Sequence, residues 1–383
     1  VFPRYADTVF NDHGWVQVSS DPSQRPYWLA FSLVSGIGAR RLARLLQFFG
    51  SAEAAWLASE HDLRLSGVEA QIIDNVIAAR QKRDIAHEIA RIESVGAHFI
   101  TLDDDAYPSL LRHIDDAPPI LYVRGSVLPH DARALAIVGT RKPTHYGSDA
   151  AYRIARELSA HGVTVVSGLA HGIDAAAHRG ALDGGGRTIA VLGNGIDQVY
   201  PRDHAELATR ISQSGALMTE FALGSKPEAR HFPARNRIMS GLSLAVLIVE
   251  APLQSGALIT ATAAAEQGRD VFAIPGSIFS PASVGTNKLI QDGAQLVTSA
   301  EDILEALDLS TLTNASVQPD VMHDAPENDE ERIILRLLSH EPIHVDDIIR
   351  QTRMNTAVVL STLTMLELKQ LARNVGAMQY CLG

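Results

Sequence analysis

Phe232-Pro-Ala-Arg-Asn-Arg-Ile-Met-Ser-Gly-Leu-Ser243 runs directly into the apolar stretch Leu244-Ala-Val-Leu-Ile-Val249. The first part crowds Arg235, Asn236 and Arg237 together, and the second has the length and branching of a buried strand. Charges set against a buried strand are costly unless an anion needs them. Working outward, five further runs follow the same plan: Ile137-Val-Gly-Thr-Arg141, Val166-Ser-Gly-Leu-Ala170, Leu192-Gly-Asn-Gly195, Ser255-Gly-Ala-Leu-Ile-Thr260 and Val271-Phe-Ala-Ile-Pro-Gly276. Each places Gly, Ser or Arg beside an apolar run, which is how an α/β sheet forms a phosphate-binding edge.

From residue 133 the pattern alternates strand and helix. The spacing predicts strands at 134–138, 163–167, 188–192, 216–220, 244–249, 270–273 and 295–297. It predicts helices at 146–161, 174–181, 204–214, 259–268, 287–292 and 300–307, with a short helix beginning or ending in 236–241. Short β-branched runs alternating with amphipathic helices imply an α/β, mainly parallel sheet covered on both faces. Residues 1–25 read as a loose arm and 26–96 as a small helical domain. Residues 97–130 read as a proline-rich connector with short strands at 99–102 and 120–123, opening the sheet domain of 97–307. A polar, acidic linker spans 308–329. The compact tail, 330–383, shows helices at 331–339, 345–352 and 356–369 and then two strands near 371–375 and 378–382, the order of a winged helix.

The 383 residues are 46% hydrophobic and 20% charged, typical of a globular α/β protein. The single cysteine, Cys381, excludes an intrachain disulfide framework and a thiolate metal cluster. The opening residues lack a basic start followed by an apolar core, and no apolar run has bilayer length, so a cytoplasmic location without membrane attachment is expected. The net charge of -11 argues against nucleic acid at first sight. Seven of the acids, however, lie in residues 308–331, which hold no lysine or arginine. Binding depends on the local field, so a basic pocket inside an acidic protein remains open.

The motifs admit competing readings. Gly139 and Arg141 suit a close approach over the strand ends, or an ordinary turn with a surface arginine. Ser167 and Gly168 expose amides to an anion, or make a tight packing turn. Ser255 and Gly256 precede a helix and suit a phosphate or ribose, or packing. Gly193 and Gly195 lack the third glycine of a dinucleotide fingerprint, because Gln198 stands there. Neither a Walker phosphate loop nor a G-x-S-x-G elbow occurs. No cofactor is expected. His171, Asp174 and His178 have helical spacing for a metal, but a structural histidine is the favoured reading. Gly36-Ile37-Gly38 with Arg40, Arg41 and Arg44 suits a DNA-backbone hairpin or a capped interaction helix. The third tail helix has an apolar middle and basic residues only at its ends, Arg353 and Lys369, which disfavours base reading.

Seven motifs in order resemble the bacterial DNA processing protein A family, also called Smf, of natural transformation: VGTR (138–141), SGLAHGID (167–174), LGNGIDQVYP (192–201), FPARNRIMSGLS (232–243), EAPLQSGALIT (250–260), GRDVFAIPG (268–276) and GTNKLIQDGA (285–294). The resemblance runs from about Leu29 to the C-terminus. It implies an extended Rossmann-like domain, preceded by a helical domain of the sterile-alpha-motif or helix-hairpin-helix type and followed by a winged helix. It also implies a non-enzymatic homodimer that binds single-stranded DNA without sequence preference, shields it from nucleases and loads the recombinase RecA. By the same resemblance the DNA pocket holds Arg141, Arg235 and Arg237, with Gly139, Ser167, Gly168, Ser255 and Gly256 beside them and Phe232 and Asn236 accompanying. His171 and Met239-Ser240 depart from the family pattern, and neither departure threatens that pocket.

The residues themselves agree with a strand-end pocket for consecutive phosphates, and Phe232 offers a ring for sequence-tolerant stacking. Two other functions compete. One is a phosphoribohydrolase-like nucleotide enzyme, in which Ser255-Gly256-Ala257 replaces a P-G-G-x-G-T motif and Glu250 and Glu266 are the nearby acids. The other is an interaction protein acting through its flanking domains.

Overall fold

The computed structural model describes residues 21–309, 328–339, 342–369 and 371–382. Most of the expected arm and acidic linker therefore lies outside the described residues. Contacts divide the chain into two units, at residue 313.

Among the described residues of the first unit, nine strands form one sheet. They are β1 (His98–Thr101), β2 (Ile120–Gly125), β3 (Ala134–Val138), β4 (Thr164–Ser167), β5 (Thr188–Val191), β6 (Ala216–Thr219), β7 (Ala245–Ile248), β8 (Asp270–Ala273) and β9 (Gln295–Leu296). Their order is β1-β2-β6-β5-β4-β3-β7-β8-β9. Strands β3 to β9 pair in parallel, as the alternation predicts. Strands β1 and β2, expected only as short strands of a connector, extend the sheet by antiparallel pairing through β2 and β6. The chain builds outward from β3 through β6, then returns to build β7 to β9 on the other side. The switch therefore falls between β3 and β7, where such sheets open a crevice beyond their carboxyl ends.

The helices follow from the same alternation. The first six are α1 (Arg25–Ser32), α2 (Ala39–Phe49), α3 (Ala52–Leu57), α4 (Glu60–Leu65), α5 (Ala70–Lys82) and α6 (Ile85–Ser94). Then come α7 (Ser109–Arg112), α8 (His145–Ala160), α9 (Ile173–Asp183), α10 (Ala205–Ser214), α11 (His231–Gly241), α12 (Gly256–Glu266), α13 (Val284–Gln291) and α14 (Ala300–Ala306). Along β3 the side chains alternate between two cores. Leu135 and Ile137 join α8, α9 and α14, whereas Ala134, Ala136 and Val138 join α11, α12 and the N-terminal helices. Residues of α1 to α5 share that second core with the sheet, so helices and sheet are continuous in packing. No helix among the described residues is long and apolar enough to cross a membrane.

At the amino ends of the central strands, Asp131 is buried and fastened on several sides. It pairs with Arg187 at 2.8 Å, accepts from Thr164 Oγ1 at 2.8 Å and accepts from the Leu128 amide at 2.8 Å. Arg187 also reaches the carbonyls of Ser126 and Ser214.

The second unit holds α15 (Asp329–Leu337), β10 (Ile343–His344), α16 (Val345–Thr352), α17 (Thr356–Leu368), β11 (Ala372–Gly376) and β12 (Gln379–Leu382). The hairpin expected in the tail gains β10 as a third strand, giving the order β10-β12-β11. Lys369 lies in a buried pair with Glu331 at 3.0 Å, so its charge is turned inward. Cys381 is buried in β12.

Burial alone would raise the Asp131 carboxyl, but hydrogen bonds from Arg187, Leu128 and Thr164 hold it below its ordinary value. A depressed carboxylate stabilises the fold above its unfolded pKa of about 4 and loses that contribution as pH falls through the folded value. Asp131→Asn is expected to cost about 3 kcal/mol at pH 7 in urea unfolding, because it leaves Arg187 without its carboxylate. The gap to the parent should narrow below about pH 4.

Candidate nucleic-acid interface

Helix α11 begins five residues before the expected 236 and carries Pro233 in its first turn, where no intrahelical amide bond is lost. This start decides which side chains share a face. Phe232 and Arg235 are three apart and neighbour each other; Arg235 and Arg237 are two apart and diverge.

Arg235 is 4% exposed. Its guanidinium lies against the backbone of Gly168, where an added Cβ would sit 1.5 Å from Nη1. Nη1 donates to the sulfur of Met239 at 2.9 Å, a weak acceptor, and buried Nε has no partner among the described residues. Asp174 is the nearby counter-charge, but its carboxylate accepts the amides of Gly168 and Ala170. Burial raises the Asp174 carboxyl, against the pull of Arg235 and those amides. Burial also pushes the Arg235 guanidinium down to about 10, with Asp174 opposing and Arg141 adding to the shift. It therefore remains a cation at neutral pH, sealed and incompletely partnered.

Arg141, exposed after β3, places its Cζ 5.1 Å from the centre of the Phe232 ring. The Phe232 ring rests beside Gly193, where an added Cβ would lie 3.1 Å from it. Tyr200 tilts toward the same ring at 6.2 Å. Next to it, His231 stacks on Phe221 at 4.1 Å. A half-open aromatic surface crowned by one arginine and underlain by another is the result.

The other expected residues divide. Arg237 does not join this surface: it pairs with Asp116 at 3.1 Å and with Glu220 at 2.5 Å, and serves as an internal fastener. Ser167 donates to the carbonyl of Ile137 at 2.7 Å, so its hydroxyl is used within the sheet. Gly139 is required by Ile173 and the Glu250 carbonyl, which crowd its missing Cβ. Ser255 caps α12 through the Ala257 amide, starting that helix before the expected 259. Gly256 is exposed with open space around it, and its carbonyl accepts from buried Asn236 at 3.3 Å, which ties α11 to α12.

The switch crevice between β3 and β7 is filled from inside. Glu250 is 2% exposed; its carboxylate accepts from the amide and hydroxyl of Thr144 and occupies the space left by Gly147. A nucleotide phosphate there would meet a carboxylate. Glu266 is exposed at the far end of α12.

His171 is exposed against His204, Asp174 caps two amides, and His178 is buried on Thr188, so the three do different things. Among the described residues no group of three such ligands gathers. In the N-terminal helices, Arg41 pairs with Glu69, while Arg40 and Arg44 are both exposed and Arg44 bonds the Gly67 carbonyl. Sequence reasoning passed over Tyr200; an aromatic just before Pro201 in the loop after a strand was the available signal.

Comparison with known proteins places these features. The family described as DNA recombination-mediator protein A matches residues 98–308, and the DprA winged helix domain matches residues 318–377. Protein Smf of Synechocystis sp. is 36% identical, covering 94% of this chain and 98% of its own. The X-ray structure of DNA processing protein A from Streptococcus pneumoniae is similar with a TM-score of 0.65 at 34% identity, covering 73% of this chain and 97% of that one. DNA processing protein A from Helicobacter pylori, described for its single-stranded DNA binding mode, is similar with a TM-score of 0.50 at 31% identity, covering 55% and 96%.

The packing of Arg235 on Gly168 is testable by a double-mutant cycle. Gly168→Ala is expected to cost about 1–3 kcal/mol by overpacking. In an Arg235→Ala background the same change should cost less than about 1 kcal/mol, read from urea midpoints.

Proposed function

The chain belongs to the DNA recombination-mediator protein A family, and from that premise we propose that it binds single-stranded DNA without sequence preference at the Arg141–Phe232–Arg235 edge. In this reading it acts in the cytoplasm as a homodimer that shields the strand and passes it to the RecA recombinase. Family membership and the DNA-binding description of the Helicobacter pylori relative support the substrate. The observation that carries the site is the buried, charged and incompletely partnered guanidinium of Arg235 beneath the exposed Arg141–Phe232 stack. A phosphate held by Arg141 at this edge would sit in the field of that sealed cation, which Asp174 only partly offsets. Phe232 offers a face to any base, because every base has one, which accounts for binding without readout of sequence.

The reading is one of binding rather than catalysis. Glu250, which follows β7, is spent on Thr144 and fills the space beside Gly147, which leaves it unsuited to activating water or a ribose.

Fluorescence anisotropy with labelled oligo-dT at two salt concentrations tests the proposal. Arg141→Ala is expected to weaken binding and to flatten the log–log salt slope by about 0.7, the value for one phosphate contact on a single strand. Arg235→Ala, which removes a buried charge rather than a direct phosphate contact, should weaken binding with a smaller change of slope. Arg237→Ala should lower stability and leave the slope alone, since its charge is spent on Asp116 and Glu220. Unchanged affinity and slope in both folded variants, Arg141→Ala and Arg235→Ala, would remove this edge from the interface.

A further inference from the structure

Beyond Phe232 the same side of the sheet holds a cavity of about 610 Å³, lined by Gln198, Tyr200, Arg202, Ala205, Lys226 and Pro227 among others. None of the residues singled out in the motifs above as DNA contacts lines it. Its two walls come from the loop between β5 and α10 and from the segment between β6 and α11.

The walls are stitched together without any ligand. Buried Asn194 bonds the carbonyls of Gly195 and Gln198 at 2.9 and 2.7 Å, which stiffens the first loop. The Gly195 amide donates to Ser225 at 2.9 Å, and the Gly224 amide donates to the Asp197 carboxylate at 3.0 Å. Lys226 is thereby held across from Tyr200 by backbone bonds on either side of the gap.

The lining has one chemical sense. Arg202 and Lys226 are exposed, arrive from different segments, and enter no ion pair or hydrogen bond with a described residue. Ala205, the first residue of the ten-residue helix α10, lines the cavity; its amide bonds the carbonyl of Arg202 and so fixes that residue's backbone at the rim. The nearby acid Asp197 is occupied by Gly224, and Asp203 and Glu206 do not line the cavity. Tyr200, 44% exposed, adds an open aromatic face. Two unpaired cations and an open ring together suit a phosphate joined to a planar group.

Position then identifies which one. The Tyr200 and Phe232 ring centres are 6.2 Å apart. Bases stacked in a duplex rise only about 3.4 Å per step, so neighbouring bases on these two rings must be pulled apart, which a single strand allows. The cavity volume lies within the usual ligand range of about 300–1,000 Å³ and admits a nucleotide.

We propose that this cavity is a second nucleotide subsite, in which the base adjoining the one on Phe232 rests on Tyr200 and its phosphate lies between Arg202 and Lys226. The inference rests on the reading of the Arg141–Phe232 edge as a single-strand interface and extends that track along the sheet.

The test uses the full chain with fluorescent oligo-dT of three and twelve nucleotides at 50 and 200 mM salt. In the Arg202→Ala/Lys226→Ala double variant, binding of both the 12-mer and the 3-mer should weaken about fivefold or more, with the salt slope shallower by about 0.7 for the one phosphate that the two cations share. Tyr200→Ala should weaken the 12-mer without changing its slope. Both sets of changes lie on the surface, and an unaltered melting curve checks folding. Undiminished 12-mer binding in the double variant, with Arg141→Ala still weakened, overturns the subsite and leaves the first site standing. Failure of the parent protein to bind either oligonucleotide overturns both. Equal competition by free thymidine monophosphate overturns the continuous track in favour of a separate nucleotide pocket.

Discussion

A guanidinium sealed beneath the carboxyl ends of parallel strands has to be accommodated on every side, and Arg235 organises its neighbours accordingly. Gly168 gives up its side chain so that the plane can lie on backbone. Asp174 balances the charge from a distance while capping the β4–α9 turn. His178 stays neutral: burial first, then Arg235 and His204, push it down to about 3. Its tautomer follows from the network. The Thr188 hydroxyl donates to the Val165 carbonyl at 2.7 Å, so it accepts from His178 Nδ1–H. Nε2 is then a bare lone pair, buried and without a hydrogen-bond partner. A lone pair in the field of a guanidinium is favourable where a protonated ring would not be.

Contrast with the other end of the sheet shows why this arrangement is not ordinary core construction. Arg187, at the amino ends, has Asp131 in two contacts and two carbonyls besides. Arg237, on the same helix as Arg235, has Asp116 and Glu220. Burial raises the Glu220 carboxyl, and Arg237 pulls it back, so that pair answers itself. Half-buried Arg80, Arg124 and Arg269 bond carbonyls instead, whereas Arg235 has neither an acid nor a carbonyl as hydrogen-bond partner among the described residues. Leaving Arg235 short of a carboxylate, with Arg141 held only on a ring, concentrates positive potential where the strands end. An overall charge of -11 is compatible with an anion site on these terms.

The alternation of apolar runs was enough to place β3, β8 and α16, because each has the full length and period of its type. It could not place β10, which has two residues, nor assign partners to β1 and β2, because pairing is settled by what lies beside a strand rather than within it. Arginines drawn together in the sequence separate in space because α11 begins at His231, and Pro233 hides that start from a pattern reading. Gly139, Ser167 and Ser255 carry the residue types of an anion site but are spent on Ile173, Ile137 and Ala257. Residue type at a strand end is therefore an incomplete signal; whether donors are left over depends on neighbours far along the chain.

The second unit sharpens the same distinction between having cations and having free ones. A helix that reads a DNA groove presents polar or basic side chains outward. Helix α17 contains no lysine or arginine, and its exposed positions include Val358, Met365 and Leu368. Lys369, just past its end, is buried on Glu331, and Arg350 pairs with Asp347. The outer face of α17 mixes these apolar side chains with Thr356, Ser361, Thr364 and Glu367 and offers a phosphate no cation. Arg336 and Arg353 are exposed in the second unit without a ring beside them among the described residues, whereas in the sheet of the first unit a free guanidinium lies over an aromatic face.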